Sequence, residues 1–260
     1  EGGWKALSTR RPLLHIIGGF CVVLANLCFF SALASIPLAN ASAIFFVAPL
    51  IITALSALIL KESVGFRRWS ALVVGMIGVL LIIKPGSINF EWAILLPLVA
   101  ALAYSLKNII ARNMGLSEAA VTMSFYLHIT FIASCAIMGI LFGDGKLAVG
   151  DDPALQFIFR AWVIPSGEMM IIIFVAGISS ALGGYYISQA YRHSSASLVA
   201  PFEYSTLPLA VFWGYFIWEE FPDLFSGVGI ILIMASGIFV ALREGKREGE
   251  PSAKRVSGRR

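Results

Sequence analysis

The sequence predicts an all-α integral membrane protein, a polytopic helix bundle, and three observations carry that prediction. Apolar residues make up 58% of the 260 and charged residues 13%, with a mean hydropathy of +0.86, which leaves too little polar surface to cover a soluble globule of this size. Apolar runs near 20 residues recur along the whole chain, and such runs are long enough to cross roughly 30 Å of hydrocarbon. They lack the short apolar–polar alternation of barrel strands, and in lipid a helix satisfies its own backbone N–H and C=O groups.

Eight runs follow in order. The first, 13–34, begins behind Arg10 and Arg11, and the second, 38–60, stops at Lys61 and Glu62. The third, 69–83, is about 22 Å long at 1.5 Å per residue, so Arg68 and Lys84 have to snorkel to the headgroups from its two ends. Runs 92–110 and 119–142 come next, then a long loop, 143–168, whose PALQFIFRAWVIP either lies on the outer membrane surface or packs against the bundle. Runs 169–191, 197–218 and 224–242 complete the set. The end, 244–260, has no apolar periodicity and is predicted to be a disordered cytoplasmic tail.

Cations set the orientation, because Lys and Arg accumulate on the cytoplasmic side. With the N-terminal end inside, 16 of the 19 Lys and Arg fall inside and only Lys84, Lys146 and Arg160 outside, where Asp144, Asp151, Asp152, Glu219, Glu220 and Asp223 lie. The pI near 9.1 is therefore a topology signal, and no nucleic-acid partner is implied. Trp92, Trp162 and Trp218 at outer span ends and Trp69 at an inner one fit interfacial belts. Cys21, Cys28 and Cys135 sit within spans as packed free thiols without metal-ligand spacing. Gly177 with Ala181, Ser180 with Gly184, and Gly75 with Gly78 are spaced to let helices approach closely.

A weak internal repeat is also present. Residues 29–83 and 185–240 share an aromatic pair (Phe29, Phe30; Tyr185, Tyr186), a small-residue linker, a proline-bearing span ending at an acid (Glu62; Glu220), and a glycine-containing span. The cation count puts Glu62 inside and Glu220 outside, so the module is inserted twice with opposite sense.

These stretches resemble the EamA-type permeases of the drug/metabolite transporter superfamily. The first, NASAIFFVAPLIITALSALILKESVGFRRWSALVVGMIGVLLIIKPG, is similar to the family's proline-containing span, acid-terminated turn and following glycine-rich span. The second, VAPFEYSTLPLAVFWGYFIWEEFPDLFSGVGIILIMASGIFVALRE, is similar to the matching part of the second repeat. The resemblance implies ten helices in two inverted five-helix repeats, cytoplasmic termini, and alternating-access movement of small metabolites across the bacterial inner membrane. Against that pattern the eight runs are helices 3 to 10, and the start at Glu1, without Met, reads as the inside of a loop. On this division 1–118 holds helices 3–5 of the first repeat plus the first helix of the second, and 119–243 the rest of the second repeat.

Polar groups deep in spans are candidate substrate or coupling residues, because burial in lipid is costly for them unless they face a cavity or a partner. Glu203, about 9 Å into its span and two residues after Pro201, is either a proton-coupling or cation-recognising carboxylate or a structural partner of Lys107 or Arg192. Tyr204 follows it, either lining a pore or packed. Tyr104 and Asn108 share one helix face, as do Tyr185 and Gln189. Such faces suit an aromatic, hydrogen-bonding cavity for an amino-acid-like or heterocyclic metabolite, or helix-to-helix hydrogen bonds. Asn40 is a further polar candidate, Lys107 either binds an anion or snorkels, and His128 is a proton relay or an interhelical histidine. Pro49, Pro201 and Pro208 are hinge candidates.

The chain carries no Ser/His/Asp set, HExxH, paired aspartates or phosphate-cradling loop, which argues against an enzyme, and no cofactor is implied. A secondary-active transporter of small organic metabolites or drugs, with protons as the coupling ion, is the leading expectation. A channel, a structural membrane protein and an inactive permease are the alternatives.

Overall fold

A computed structural model describes residues 8–59, 61, 65–85, 91–114, 120–193 and 204–248. Among the described residues all regular structure is helical: α1 (Pro12–Ala32), α2 (Leu38–Phe45), α3 (Ala48–Ile59), α4 (Phe66–Ile83), α5 (Leu96–Met114, entered through a 3-10 turn at Trp92–Leu95), α6 (Ala120–Phe142), α7 (Pro153–Phe159), α8 (Gly167–His193), α9 (Thr206–Trp218) and α10 (Leu224–Glu248). Four stretches, Pro12–Ala32, Leu38–Ile59, Trp92–Ala111 and Thr122–Phe142, are long and apolar enough to cross a membrane, and shorter apolar helices stand at Trp69–Ile83, Gly167–Ser179, Thr206–Trp218 and Leu224–Val240. The chain is a multi-pass membrane protein.

The boundaries shift where physical chemistry other than hydropathy sets them. The third run starts at Phe66, behind the N-cap Gly65, so its helix has 18 residues with the two arginines inside its first turn. The second run divides into α2 and α3. Pro49 has no N–H to offer the Phe45 carbonyl, and across the gap the chain tightens, Val47 N–H donating to the Ile44 carbonyl at 3.2 Å and Leu50 N–H to Val47 at 2.9 Å. Buried Ser105 of α5 lies on this break, its Oγ 3.1 Å from the Ala48 carbonyl and 2.7 Å from that of Ala101. The last helix runs through 244–248, where the disordered tail was expected to begin, because Arg, Glu and Lys are good helix formers; residues 249–260 lie outside the described ones.

The main core forms where α2 and α3 meet α4, α5, α9 and α10, around Ile44, Leu50, Ile82, Leu207 and Ile233. Helices α4 and α10 pack antiparallel through glycine. A Cβ built on Gly78 would lie 2.8 Å from the Gly229 carbonyl oxygen, and one on Gly229 would lie 2.6 Å from that of Gly78. The small-residue spacing Gly75–Gly78 thus does what it predicts, whereas Gly177 of α8 has nothing within 4 Å.

A single register relates two hairpins. The starts of α3 and α9, Ala48 and Thr206, are 158 residues apart, as are those of α4 and α10, Phe66 and Leu224. Lys61 and Glu219, again 158 apart, both take positive φ, 54° and 57°. The α4–α10 contacts fit the same register: Gly75 faces Ser236 while Gly78 faces Ile233, which is one pairing with the two copies exchanged.

Helix ends gather into two sets. Lys84 after α4 pairs with Asp223 before α10, and Trp92 Nε1 donates to Asp152 at 2.5 Å; at the opposite end Arg11 donates to the Asn113 carbonyl at 3.4 Å. Within the long loop, α7 is capped by Asp152, which accepts from Leu155 N–H at 3.0 Å. Trp162 folds onto Gly139 of α6, while Val163 and Ile164 stay exposed.

Candidate functional site

The candidate site lies between α1, α2, α5 and α6, and a helical stripe on α1 builds its first wall. Val22, Ala25, Asn26, Phe29 and Phe30 recur at three- and four-residue steps and all line a cavity of about 390 Å³. Phe45, the last residue of α2, forms the second side, and Tyr104 and Lys107 of α5 with Leu127 of α6 complete the lining of what is a half-open cleft. Alanines allow the close packing behind this wall, with Ala25 and Cys28 of α1 against Ala100 and Ala103 of α5.

The break at Pro49 organises the aromatic groups. Phe45 stands 5.4 Å from Phe29 and 5.5 Å from Tyr104, ring centre to ring centre, while its neighbour Phe46 turns the other way, 5.6 Å from Tyr204. Aromatic rings therefore run from the cavity across the break to the start of α9.

One charged group enters this apolar setting. The Lys107 ammonium sits 5.1 Å from the centre of the Tyr104 ring and donates to Asn108 Oδ1 at 3.2 Å; Asn108 Nδ2 in turn donates to the Tyr104 carbonyl at 3.0 Å. Asn26 donates Nδ2–H to the Val22 carbonyl at 2.9 Å. Among the described residues no three His, Cys, Asp or Glu side chains come together as a metal site.

The structure brings Tyr104 and Lys107 together at the cavity, with Asn108 beside them. Tyr204 is 2% exposed, packed between Phe46 and α10 at Gly237, so it belongs to the core. His128 is exposed on α6 and donates Nδ1–H to the Ser124 carbonyl of its own helix at 2.7 Å. Among the described residues the buried Asn40 amide oxygen has no hydrogen-bond partner, but Asn40 does not line the cavity. Pro49 marks the helix break, whereas Pro208 lies in the first turn of α9, where proline is tolerated. Glu203, Pro201 and Glu62 lie outside the described residues, as do the side chains of Tyr185 and Gln189. Phe45 was not singled out by the sequence reasoning, and the Phe29–Phe30 pair entered it only as a repeat marker. The spacing from residue 22 to 30, with Asn26 on the same stripe, is the signal that could have found this wall.

The sequence profile of the EamA-like transporter family matches residues 2–84. An uncharacterized transporter of Helicobacter pylori is 30% identical over 244 residues, 93% of this chain and 75% of the relative. The chain belongs to the EamA-like transporter family. Membership makes it a transporter and not an enzyme. Within the family, the S-adenosylmethionine uptake transporter of Rickettsia prowazekii is 28% identical over 245 residues, 94% of this chain and 76% of that one. The riboflavin transporter of Rhizobium johnstonii is 27% identical over 250 residues, 96% and 77%. No solved structure matches this chain.

Proposed function

We propose that this EamA-like protein is a secondary-active permease that takes up a small organic metabolite bearing a flat heteroaromatic ring, by alternating access. The observation that carries the reading is the cavity wall of Phe29, Phe45 and Tyr104 beside the break at Pro49: rings on several sides suit offset or edge contacts to a planar substrate. S-adenosylmethionine and riboflavin, named for two relatives, both contain such rings. In this reading all eight apolar helices are spans. The α3–α4 and α9–α10 hairpins belong to two inverted repeats, which the 158-residue register and the antiparallel glycine contact support. Residues 1–118 then carry the end of the first repeat and the first helix of the second, and 119–243 the remainder. The cation distribution supports a cytoplasmic C-terminal end, and the bacterial relatives support the inner membrane. The Pro49 break is the hinge, with Phe45 and Phe46 moving as its two sides, and Glu203 is the proton-carrying carboxylate.

Proteoliposomes with an inward proton gradient test this. Labelled S-adenosylmethionine or riboflavin should accumulate above its outside concentration and saturate; simple equilibration of both would point to a channel and sink the proposal. Phe45→Ala should raise KM roughly tenfold, the size of a lost aromatic pair of about 1.5 kcal/mol. Glu203→Gln should remove the pH dependence of uptake; pH dependence that survives makes Glu203 structural.

A further inference from the structure

Lys107 carries a second inference, which rests on the metabolite reading and narrows it. The lysine is in the third turn from the end of α5, and a snorkelling side chain there would run toward that end, the side predicted to be cytoplasmic. Its ammonium instead stands over Tyr104, one turn back toward the middle of the helix, following the tilt of helical side chains toward the N-terminus. There it is half-buried on the cavity wall beside Phe45 and Asn26. Its contacts are a ring face and a neutral amide oxygen, and no carboxylate among the described residues pairs with it. A cation held in an apolar site is stable only when its lost hydration is replaced, and a ring face and one amide replace only part of it. The remaining donors of an ammonium need acceptors, the best being an anionic oxygen.

We propose that the cavity selects flat aromatic metabolites that also carry a carboxylate or phosphate, the ring seated against Phe29, Phe45 and Tyr104 and the anion paired with Lys107. The aromatic wall supplies affinity for any planar ring; Lys107 supplies the discrimination, because a neutral substrate of the same shape leaves the ammonium unpaired.

The test compares two probes of equal shape, indole-3-acetate and indole-3-acetamide, by calorimetry on the full chain in phosphatidylcholine nanodiscs. The carboxylate should bind about tenfold more tightly, a difference typical of a charge-assisted bond over a neutral one. Lys107→Met should bring the carboxylate down to the affinity of the amide and leave the amide unchanged, and Lys107→Arg should keep the preference. Should the methionine variant fail to elute as a monodisperse species, Lys107→Gln takes its place. Equal affinities in the unaltered protein overturn the anion rule while leaving the ring-metabolite reading intact, as does a preference that survives removal of the cation. A preference that disappears when phosphatidylglycerol is added assigns Lys107 to a lipid headgroup and overturns the proposal too. Binding of neither probe removes the cavity as a ring site, a failure of the parent reading that the flux assay registers independently.

Discussion

The turn after α3 carries Lys61, and Arg67 and Arg68 follow in the first turn of α4; after α9 the same register places Glu219, then Phe225 and Ser226 in the first turn of α10. The N-cap positions differ likewise, Gly65 for α4 and Asp223 for α10. The helix starts nevertheless agree, as does the positive φ at Lys61 and Glu219. A helix N-terminus favours negative charge, so Asp223 supports its helix whereas Arg67 and Arg68 oppose theirs. Local helix chemistry alone would not choose the arginines. In the proposed orientation the charges of these hairpins follow the side of the membrane, whereas the shared geometry rests on glycine and apolar contacts that are indifferent to sidedness.

Substituting the glycine contact should loosen α4 from α10, the packing that joins the two hairpins, and gives the largest expected effect. An added methyl at Gly78 or Gly229 meets a backbone carbonyl, which no rotamer change can move aside. Gly78→Ala and Gly229→Ala should each cost about 1–3 kcal/mol, the usual range for overpacking, seen as a lower midpoint in thermal or denaturant unfolding in detergent. Gly227→Ala in the same helix has nothing within 4 Å and should be neutral or stabilising by up to about 1 kcal/mol, since alanine is the better helix former. Equal losses at Gly227 and Gly229 would move the crossing away from this contact.

That contact was legible in the sequence because Gly75 and Gly78 stand a turn apart in an apolar run, whereas the partner Gly229 was not, since spacing on one helix does not say what faces it. The apolar helices were legible because hydrocarbon fixes their length and leaves no alternative backbone. The division of 38–60 was half legible: Pro49 stood out as a hinge, but hydropathy runs unbroken over the gap it makes. At the site, Tyr104 and Lys107 were visible as polar groups in a span. Phe45 was not, because a phenylalanine suits lipid, core and cavity equally well until its neighbours are known. His128 was visible in the same way as Tyr104, as a polar ring in a span, and its Nδ1–H is taken up by the carbonyl of Ser124 in its own helix.

A smaller effect should sharpen the equivalence of the two turns. Lys61 and Glu219 hold left-handed backbone, which costs a residue with a Cβ about 1–2 kcal/mol, while glycine loses about 0.5–1 kcal/mol more entropy on folding. Lys61→Gly and Glu219→Gly should therefore each stabilise by about 0.5–1 kcal/mol in the same unfolding assay. A gain at only one of them would mean that the turns share φ without sharing strain.

The smallest expected effect tests the charge difference itself. Lys84, with Ser226 assisting, holds the Asp223 carboxyl down from its ordinary 3.8 to about 2. The unfolded chain thus takes up this proton first as pH falls, so the stabilisation is complete above about pH 4 and is lost as pH drops through about 2. Both side chains are well exposed, 39% and 49%, so solvent and salt screen the pair and its worth stays under about 1 kcal/mol. Asp223→Asn should lower stability at neutral pH by no more than that, and the gap to the unaltered protein should close between pH 4 and 2 and shrink in high salt. An asparagine oxygen still accepts the N-cap bond from Ser226, so a gap that persists in acid would take the effect away from the ion pair that joins the ends of α4 and α10.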